Sequence, residues 1–244
     1  METTSRSRFF TSEDFEAAAR SAIGRAGFGG PDIGLVLATL DRIADGDAAG
    51  WYAAWLETAD QLRAQAISAR AGELTQTAAW YYLAASDAYS RVIFFVDGMP
   101  DDSVLVPTFR RSRECWDAVL ELSAGRHLPV AVPYEGGTLP GYLFRPDDSG
   151  TPRPTLVITN GSDGSLAALW AVIQPALERG WNAFAFDGPG QQAMLFERDV
   201  PFRPDWEAAL TPVVDTLVER SDVDAAGLLA YGVSQGGYWL PRAL

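Results

Sequence analysis

The stretch Leu228-Leu229-Ala230-Tyr231-Gly232-Val233-Ser234-Gln235-Gly236-Gly237-Tyr238-Trp239-Leu240 decides the fold of this chain. Its first four residues are apolar and predict a strand, and the residues from Gly237 onward predict the first turn of a helix. So tight a turn needs glycine two residues before and two after its central residue, because side chains there would collide. Gly232 and Gly236 meet that need. The pattern is typical of a nucleophile elbow with Ser234 as the reactive hydroxyl; the alternative is a surface Gly-Ser turn without chemistry.

Strands and helices alternate in the hundred residues before this turn. Short apolar runs at residues 130–133, 141–144, 155–159, 183–186 and 228–231 predict strands, and residues 166–179 and 205–220 predict helices. The first two runs are joined through Glu135-Gly136-Gly137-Thr138 and should form an antiparallel pair. The strands that alternate with helices should be parallel and buried. We therefore expect a mixed α/β sheet that begins at about Leu128.

The first half of the chain has a different periodicity. From Ser12 to about Ser123 the apolar residues recur at helical spacing, as in Trp51, Trp55, Ala59, Leu62 and Ala66. Glycine and proline interrupt this pattern and divide it into roughly five helices. The predicted organisation is a helical N-terminal region over residues 1–126, followed by the α/β region over residues 127–244.

Amino-acid composition limits the expected binding partners and the expected cellular compartment. Lys and Arg total 19 against 32 Asp and Glu, a net charge of −13, which argues against nucleic acid or an anionic membrane as a partner. The N-terminal ten residues are too polar for a secretory signal, and no later segment is long and apolar enough to span a membrane. Cys115 is the only cysteine, which excludes an internal disulfide and fits a reducing compartment. We expect a cytoplasmic protein without cofactor or metal.

A serine that attacks a carbonyl needs two N–H groups to hold the developing oxyanion. Gln235, directly after the candidate nucleophile, supplies one. The second should come from the loop Asn160-Gly161-Ser162-Asp163-Gly164-Ser165, with the Ser162 N–H as first choice and that of Gly161 next. The alternative is an ordinary strand-to-helix loop with Ser165 as helix cap, and the two interpretations are compatible. The later loop Asp187-Gly188-Pro189-Gly190-Gln191-Gln192 should shape the pocket without a catalytic role, or serve only as a turn.

Four motifs carry a resemblance to a known family: Asn160-Gly-Ser-Asp-Gly-Ser, Asp187-Gly-Pro-Gly-Gln, Pro204-Asp-Trp-Glu and Tyr231-Gly-Val-Ser-Gln-Gly-Gly-Tyr. In this order and spacing they resemble the α/β-hydrolases related to 2,6-dihydroxypseudooxynicotine hydrolase, the fungal polyketide-shortening hydrolases and the FrsA-like esterases. The resemblance implies a small-molecule carbonyl substrate, either an ester or an activated carbon–carbon bond next to a ketone. It also implies that the helical region caps the active site and contributes to a homodimer. Gln192 departs from the pattern, because many relatives have glycine there.

Two members of the expected catalytic triad are missing. In α/β-hydrolases an Asp or Glu and then a His follow the nucleophile, yet residues 235–244 contain none of these. The single histidine, His127, precedes the first strand and is predicted to be a structural or a surface residue. The expected fold is thus an incomplete α/β-hydrolase sheet, open at an apolar edge and preceded by an all-helical N-terminal cap region. We expect the front of a longer hydrolase, inactive alone; the alternative is a non-enzymatic protein whose helical half binds a partner and whose hydrolase half is vestigial.

Overall fold

The computed structural model describes residues 9–244. Residues 1–8, on which most of the expectation of no secretory signal rests, lie outside the described part. The chain divides into two compact units, with the boundary between Val119 and Leu120. None of the helices in the described part has both the length and the apolar character needed to cross a membrane.

The first unit consists of helices, as the 3.6-residue periodicity predicts. Within the described residues they are α1 (Glu13–Gly24), α2 (Ile33–Leu40), α3 (Ala48–Ala71), α4 (Thr75–Val92) and α5 (Leu105–Glu121), with a 3-10 turn at Val96–Gly98. Asp47 caps α3 by accepting a hydrogen bond from the Gly50 N–H at 2.9 Å. The core between α3 and α4 includes the fully buried Trp51 and Trp55. Trp51 donates its indole N–H to the Arg91 carbonyl at 2.7 Å, so this large ring is buried without an unpaired polar atom.

The second unit contains a five-stranded sheet. The strands are β1 (His127–Tyr134), β2 (Gly137–Phe144), β3 (Arg153–Thr159), β4 (Asn182–Phe186) and β5 (Val223–Gly232), in the spatial order β1-β2-β4-β3-β5. The β1–β2 hairpin is antiparallel and the β4–β3 and β3–β5 pairs are parallel, as predicted; β2 pairs with β4 in the antiparallel sense. The predicted fold class, a mixed α/β sheet after a helical region, is confirmed.

Helices cover this sheet, and the two that were predicted between strands begin two to four residues later than expected. They are α6 (Trp170–Glu178), α7 (Gln192–Phe196), α8 (Glu207–Val218) and α9 (Gly236–Ala243). A 3-10 turn at Ala167–Leu169 precedes α6, and the Ser165 hydroxyl accepts from the Ala168 N–H at 3.3 Å, in agreement with its predicted capping role. The short helix α7 was not predicted. A hydrophobic core joins the sheet to α8 and α9 and includes Val157, Phe184, Trp206, Leu210 and Trp239.

The strand order brings three loops to one edge of the sheet. Because β4, β3 and β5 are adjacent and parallel, the segments that leave their carboxyl ends are neighbours, and this is where α/β proteins bind ligands. In the described part, β5 pairs with β3 alone, so its other side is an open edge. Leu229 and Tyr231 on that strand are 41% and 46% exposed. The predicted open apolar edge is present.

Candidate active site

Ser234 lies between the end of β5 and the start of α9, in the predicted strand-turn-helix setting. Its φ is +52°, a left-handed conformation that is uncommon for a residue with a side chain. The Gly236 N–H donates to the Val233 carbonyl at 2.8 Å, and the Gly237 N–H donates to the Ser234 carbonyl at 2.9 Å. These bonds hold the turn, and the Ser234 side chain is exposed above it. Strain of this kind occurs where a side chain must be presented for chemistry.

The two elbow glycines have no space for a side chain. A Cβ on Gly232 would lie 2.5 Å from the Gly236 carbonyl oxygen. A Cβ on Gly236 would lie less than 3.0 Å from the carbonyl oxygens of Thr159 and Asn160, at the end of β3. The first glycine therefore lets the turn close on itself, and the second lets α9 approach β3.

The β3 loop, residues 160–165, lies directly against the elbow. The Val233 N–H donates to the Thr159 carbonyl at 2.9 Å, which extends the β3–β5 pairing into the turn. A Cβ on Gly161 would lie 2.8 Å from the Ser234 Cβ and 3.2 Å from its Oγ. The structure therefore brings together Ser234, Gln235, Gly161 and Ser162, four residues that the sequence predicts to act together.

Asn160 determines which N–H groups of the β3 loop remain available. Its side-chain oxygen accepts from the Gly161 N–H at 2.9 Å, and its Nδ2 donates to the carbonyls of Gly164 and Ser165 at 2.7 and 3.1 Å. The Gly161 N–H is therefore engaged within its own loop. The N–H groups of Ser162 and Gln235 have no acceptor among the described residues. This favours Ser162 over Gly161 as the second donor to an oxyanion.

The β4 loop, residues 187–191, is closely packed at both of its inner glycines. A Cβ on Gly188 would lie less than 3.0 Å from the Trp206 ring, and one on Gly190, where φ is +80°, would clash with Phe202. The Asp187 carboxylate accepts from the Ala193 N–H at 3.4 Å, at the start of α7. Gln192 has φ +33°, so a side chain occupies a conformation that favours glycine. The loop keeps its turn although Gln192 stands where many relatives have glycine.

Gln191 is a buried residue of the site, and the sequence predicts no individual role for it. Its side-chain oxygen accepts from the Gly188 N–H at 2.8 Å, and its Nε2 donates to the carbonyls of Asn160 and Gly161 at 2.8 and 2.9 Å. It thereby connects the β4 loop to the β3 loop. The signal in the sequence was a glutamine at the end of a turn, which by itself predicts no contact about thirty residues away.

The motif Pro204-Asp-Trp-Glu has a structural explanation. Arg203 donates to both oxygens of Asp205, at 2.9 and 2.7 Å, and to the Tyr134 hydroxyl at 2.6 Å. The hydrogen bonds from Arg203 lower the pKa of Asp205 to about 2. The Trp206 ring stacks on Trp239 of α9 with centroids 4.6 Å apart. The motif therefore secures the helix that follows Ser234.

His127 lies at the opposite end of the sheet from Ser234. It pairs with Phe144, and Phe144 pairs with Ala183 near the amino end of β4, whereas Ser234 follows the carboxyl end of β5. The side chain packs on Phe144 and Trp170. Burial, with smaller contributions from the nearby charges of Arg126 and Arg145, lowers the pKa of His127 to about 4. Its place in the strand order prevents it from acting on Ser234.

Comparison with known proteins finds named hydrolases among the similar sequences. The sequence is 35% identical over 246 residues to the hydrolase LUC6 of a Fusarium species, and 31% identical over 251 residues to the alpha/beta hydrolase psoB of Aspergillus fumigatus. Both alignments cover 97% of this chain, but the chain spans only 58% and 56% of those two relatives. The fold matches the crystal structure of 2,6-dihydroxy-pseudo-oxynicotine hydrolase with a TM-score of 0.78 at 20% identity, over 90% of this chain and 60% of that one. No family model matches the sequence.

The fold is that of an α/β protein, and the three loops lie at the carboxyl ends of the strands, where such proteins generally bind ligands. The chain is thus similar to named hydrolases over 97% of its own length, and its fold resembles that of 2,6-dihydroxy-pseudo-oxynicotine hydrolase. The resemblance that the four sequence motifs indicate is confirmed.

Proposed function

We propose that this chain carries the nucleophile and the oxyanion hole of a serine hydrolase. The substrate is a small-molecule carbonyl compound, either an ester or a compound with an activated carbon–carbon bond next to a ketone. The observation that carries the proposal is Ser234, held in a left-handed turn between β5 and α9 with Gly161 against its side chain. The relation to named hydrolases supports the same reaction class.

In the proposed reaction the Ser234 oxygen attacks the carbonyl carbon, and the carbonyl oxygen takes up negative charge. The N–H groups of Ser162 and Gln235 donate to that oxygen. The tetrahedral adduct then expels an alkoxide or a ketone enolate, which takes up a proton as it leaves and becomes the alcohol or the ketone. Water hydrolyses the acyl-Ser234 intermediate and returns the free hydroxyl.

The proton of Ser234 needs a base that residues 1–244 do not supply. His127, the one histidine of the sequence, lies at the far end of the sheet. We propose that turnover requires a histidine, oriented by a carboxylate, from outside these residues. Residues 1–244 then provide the attacking group and the oxyanion donors but not the base.

A fluorophosphonate probe tests the nucleophile on the protein expressed from its complete reading frame. The probe should label the protein, and Ser234→Ala should abolish labelling. Ser162→Ala is the matched control: it removes a neighbouring hydroxyl but keeps the backbone N–H that we assign to the oxyanion hole. Equal labelling of the Ser234→Ala variant and the unmodified protein would refute Ser234 as nucleophile. Loss of labelling in Ser162→Ala with the fold intact would refute the assignment of its backbone group.

A further inference from the structure

The buried amide of Gln191 makes an unusual set of contacts. The residue is 1% exposed and belongs to the β4 loop, yet two of the three hydrogen bonds of its side chain go to carbonyls of the β3 loop. Buried polar groups are normally paired, and an unpaired one costs about 1–3 kcal/mol. All three polar partners of this amide are backbone groups, so its side chain fixes backbone positions.

The orientation of the amide follows from its partners. Gly188 offers an N–H, which only the Gln191 oxygen can accept. Asn160 and Gly161 offer carbonyl oxygens, which only the NH₂ group can satisfy. A flipped amide would place donor against donor and acceptor against acceptor. The side chain therefore has one productive arrangement.

Holding these carbonyls also sets the direction of the neighbouring N–H groups. A trans peptide is planar, and its C=O and N–H point in opposite directions. The carbonyl of Gly161 and the N–H of Ser162 belong to the same peptide plane. When Gln191 holds that carbonyl, the Ser162 N–H is directed to the opposite side of the plane. The plane before it is held at both ends, by Gln191 at the Asn160 carbonyl and by Asn160 Oδ1 at the Gly161 N–H.

We infer that Gln191 is a positioning residue for the oxyanion hole: it aims the Ser162 N–H by holding the Gly161 carbonyl from the β4 loop. Gln191 itself touches no reacting atom. The inference rests on the proposed function. It adds that the Ser234 turn alone is not sufficient to form the oxyanion hole. The oxyanion donor opposite Gln235 depends on a side chain from a third segment of the chain.

The test compares two apolar replacements of buried amides. Gln191→Met removes the hydrogen bonds at the site, and Asn182→Leu is the matched control. Asn182 is also 1% exposed and also donates to a backbone carbonyl, that of Asp222 at 2.8 Å, but it lies at the amino end of β4. Both variants lose a buried amide, and only one is next to the β3 loop.

Fluorophosphonate inactivation of the protein from its complete reading frame gives the readout. Removing one oxyanion donor slows catalysis by about 10²–10³-fold, so misdirecting it should lower the maximal inactivation rate constant by about 10–100-fold in Gln191→Met. The probe concentration at half-maximal rate should stay nearly unchanged, and Asn182→Leu should react at the unmodified rate. Equal rates for Gln191→Met and Asn182→Leu, while Ser234→Ala stays unreactive, would overturn the role of Gln191 and leave the proposed function standing. Reaction of Ser234→Ala would instead overturn the proposed function.

Gln191→Glu keeps the test decisive if the methionine variant fails to fold. The carboxylate has no hydrogen to donate to the two carbonyls, whereas the protonated carboxyl can donate to one of them. The reaction rate of Gln191→Glu, divided by that of the unmodified protein at each pH, should therefore rise as the pH falls. A ratio independent of pH, in a variant shown to be folded by circular dichroism, would contradict the positioning role.

Discussion

The left-handed backbone of Ser234 persists because its surroundings leave no alternative. Gly232 and Gly236 bring β3, β5 and α9 closer together than any side chain would allow. The strain at Ser234, of order 1–3 kcal/mol for such a residue, is offset by packing that depends on two hydrogen atoms in place of side chains. The reactivity proposed for Ser234 thus depends on residues that have no functional groups.

Alanine substitutions at Gly236 and at its neighbour Gly237 should distinguish the effect of close packing on stability from the effect of helix propensity. Gly236→Ala places a Cβ less than 3.0 Å from two β3 carbonyl oxygens and should lower the free energy of unfolding by about 1–3 kcal/mol. Gly237→Ala is its control, because a Cβ there would meet nothing nearer than the Gly232 oxygen at 3.8 Å. That change should be neutral, or stabilising by up to about 1 kcal/mol through helix propensity. Urea denaturation measures both, and equal effects would contradict the packing argument.

His127 should make stability dependent on pH. Its pKa is about 4 in the folded protein against 6.5 for the free side chain, so the unfolded chain binds the proton more readily. The stabilising effect is complete above pH 6.5 and is lost as the pH falls from 6.5 towards 4. Between pH 7 and pH 5 the free energy of unfolding should fall by about 2 kcal/mol.

The control for this pH dependence is His127→Phe, which keeps an aromatic ring against Phe144 and Trp170. Urea denaturation of both proteins at pH 7 and pH 5 gives the comparison. The variant should show little change over this range, since the sequence contains no other histidine. An equal fall in both proteins would assign the effect to other groups.

At the scale of elements, the sequence predicts best the strands that are buried along their whole length. β4 is buried along its whole length, and its apolar run predicts it to within one residue. β5 begins at Val223, five residues before its predicted start, because Asp224 and Gly227 favour turns while the pairing of Val223 with Arg153 extends the strand. The helix α7 escapes prediction because it is five residues long and starts at a contact with Asp187. The elbow is local and is predictable, whereas the contact of Gln191 with the β3 loop exists only in the folded sheet.

The open edge of β5 should drive self-association of residues 1–244. Unpaired N–H and C=O groups beside exposed apolar side chains form a template for another strand. Leu229→Lys places a charge at that edge and should weaken self-association several-fold in sedimentation velocity runs. Leu74→Lys makes the same change of charge at a more exposed leucine of the helical unit and should have little effect. Equal effects would show that net charge, rather than the strand edge, controls association.

At the scale of the whole molecule, the proposed triad has its serine within residues 1–244 and its histidine outside them. The activity of residues 1–244 alone therefore tests the proposal. Residues 1–244 should hydrolyse 4-nitrophenyl acetate no faster than their Ser234→Ala variant, because His127 cannot reach Ser234. The protein from the complete reading frame is the comparison. Serine-dependent turnover by residues 1–244 at a rate close to that of the comparison protein would refute the need for a histidine from outside these residues.

The connection made by Gln191 also bears on how the site comes into being during folding. The three loops around Ser234 come from distant parts of the sequence, and each local turn can form before the strands have paired. The hydrogen bonds from Gln191 can form only after β4 has paired with β3, and Ser234 reaches Gly161 only after β5 has joined β3. Contacts between residues far apart in sequence form slowly. In a refolding experiment, the return of a reactive serine would therefore mark the late assembly of the sheet, after most helical signal has recovered.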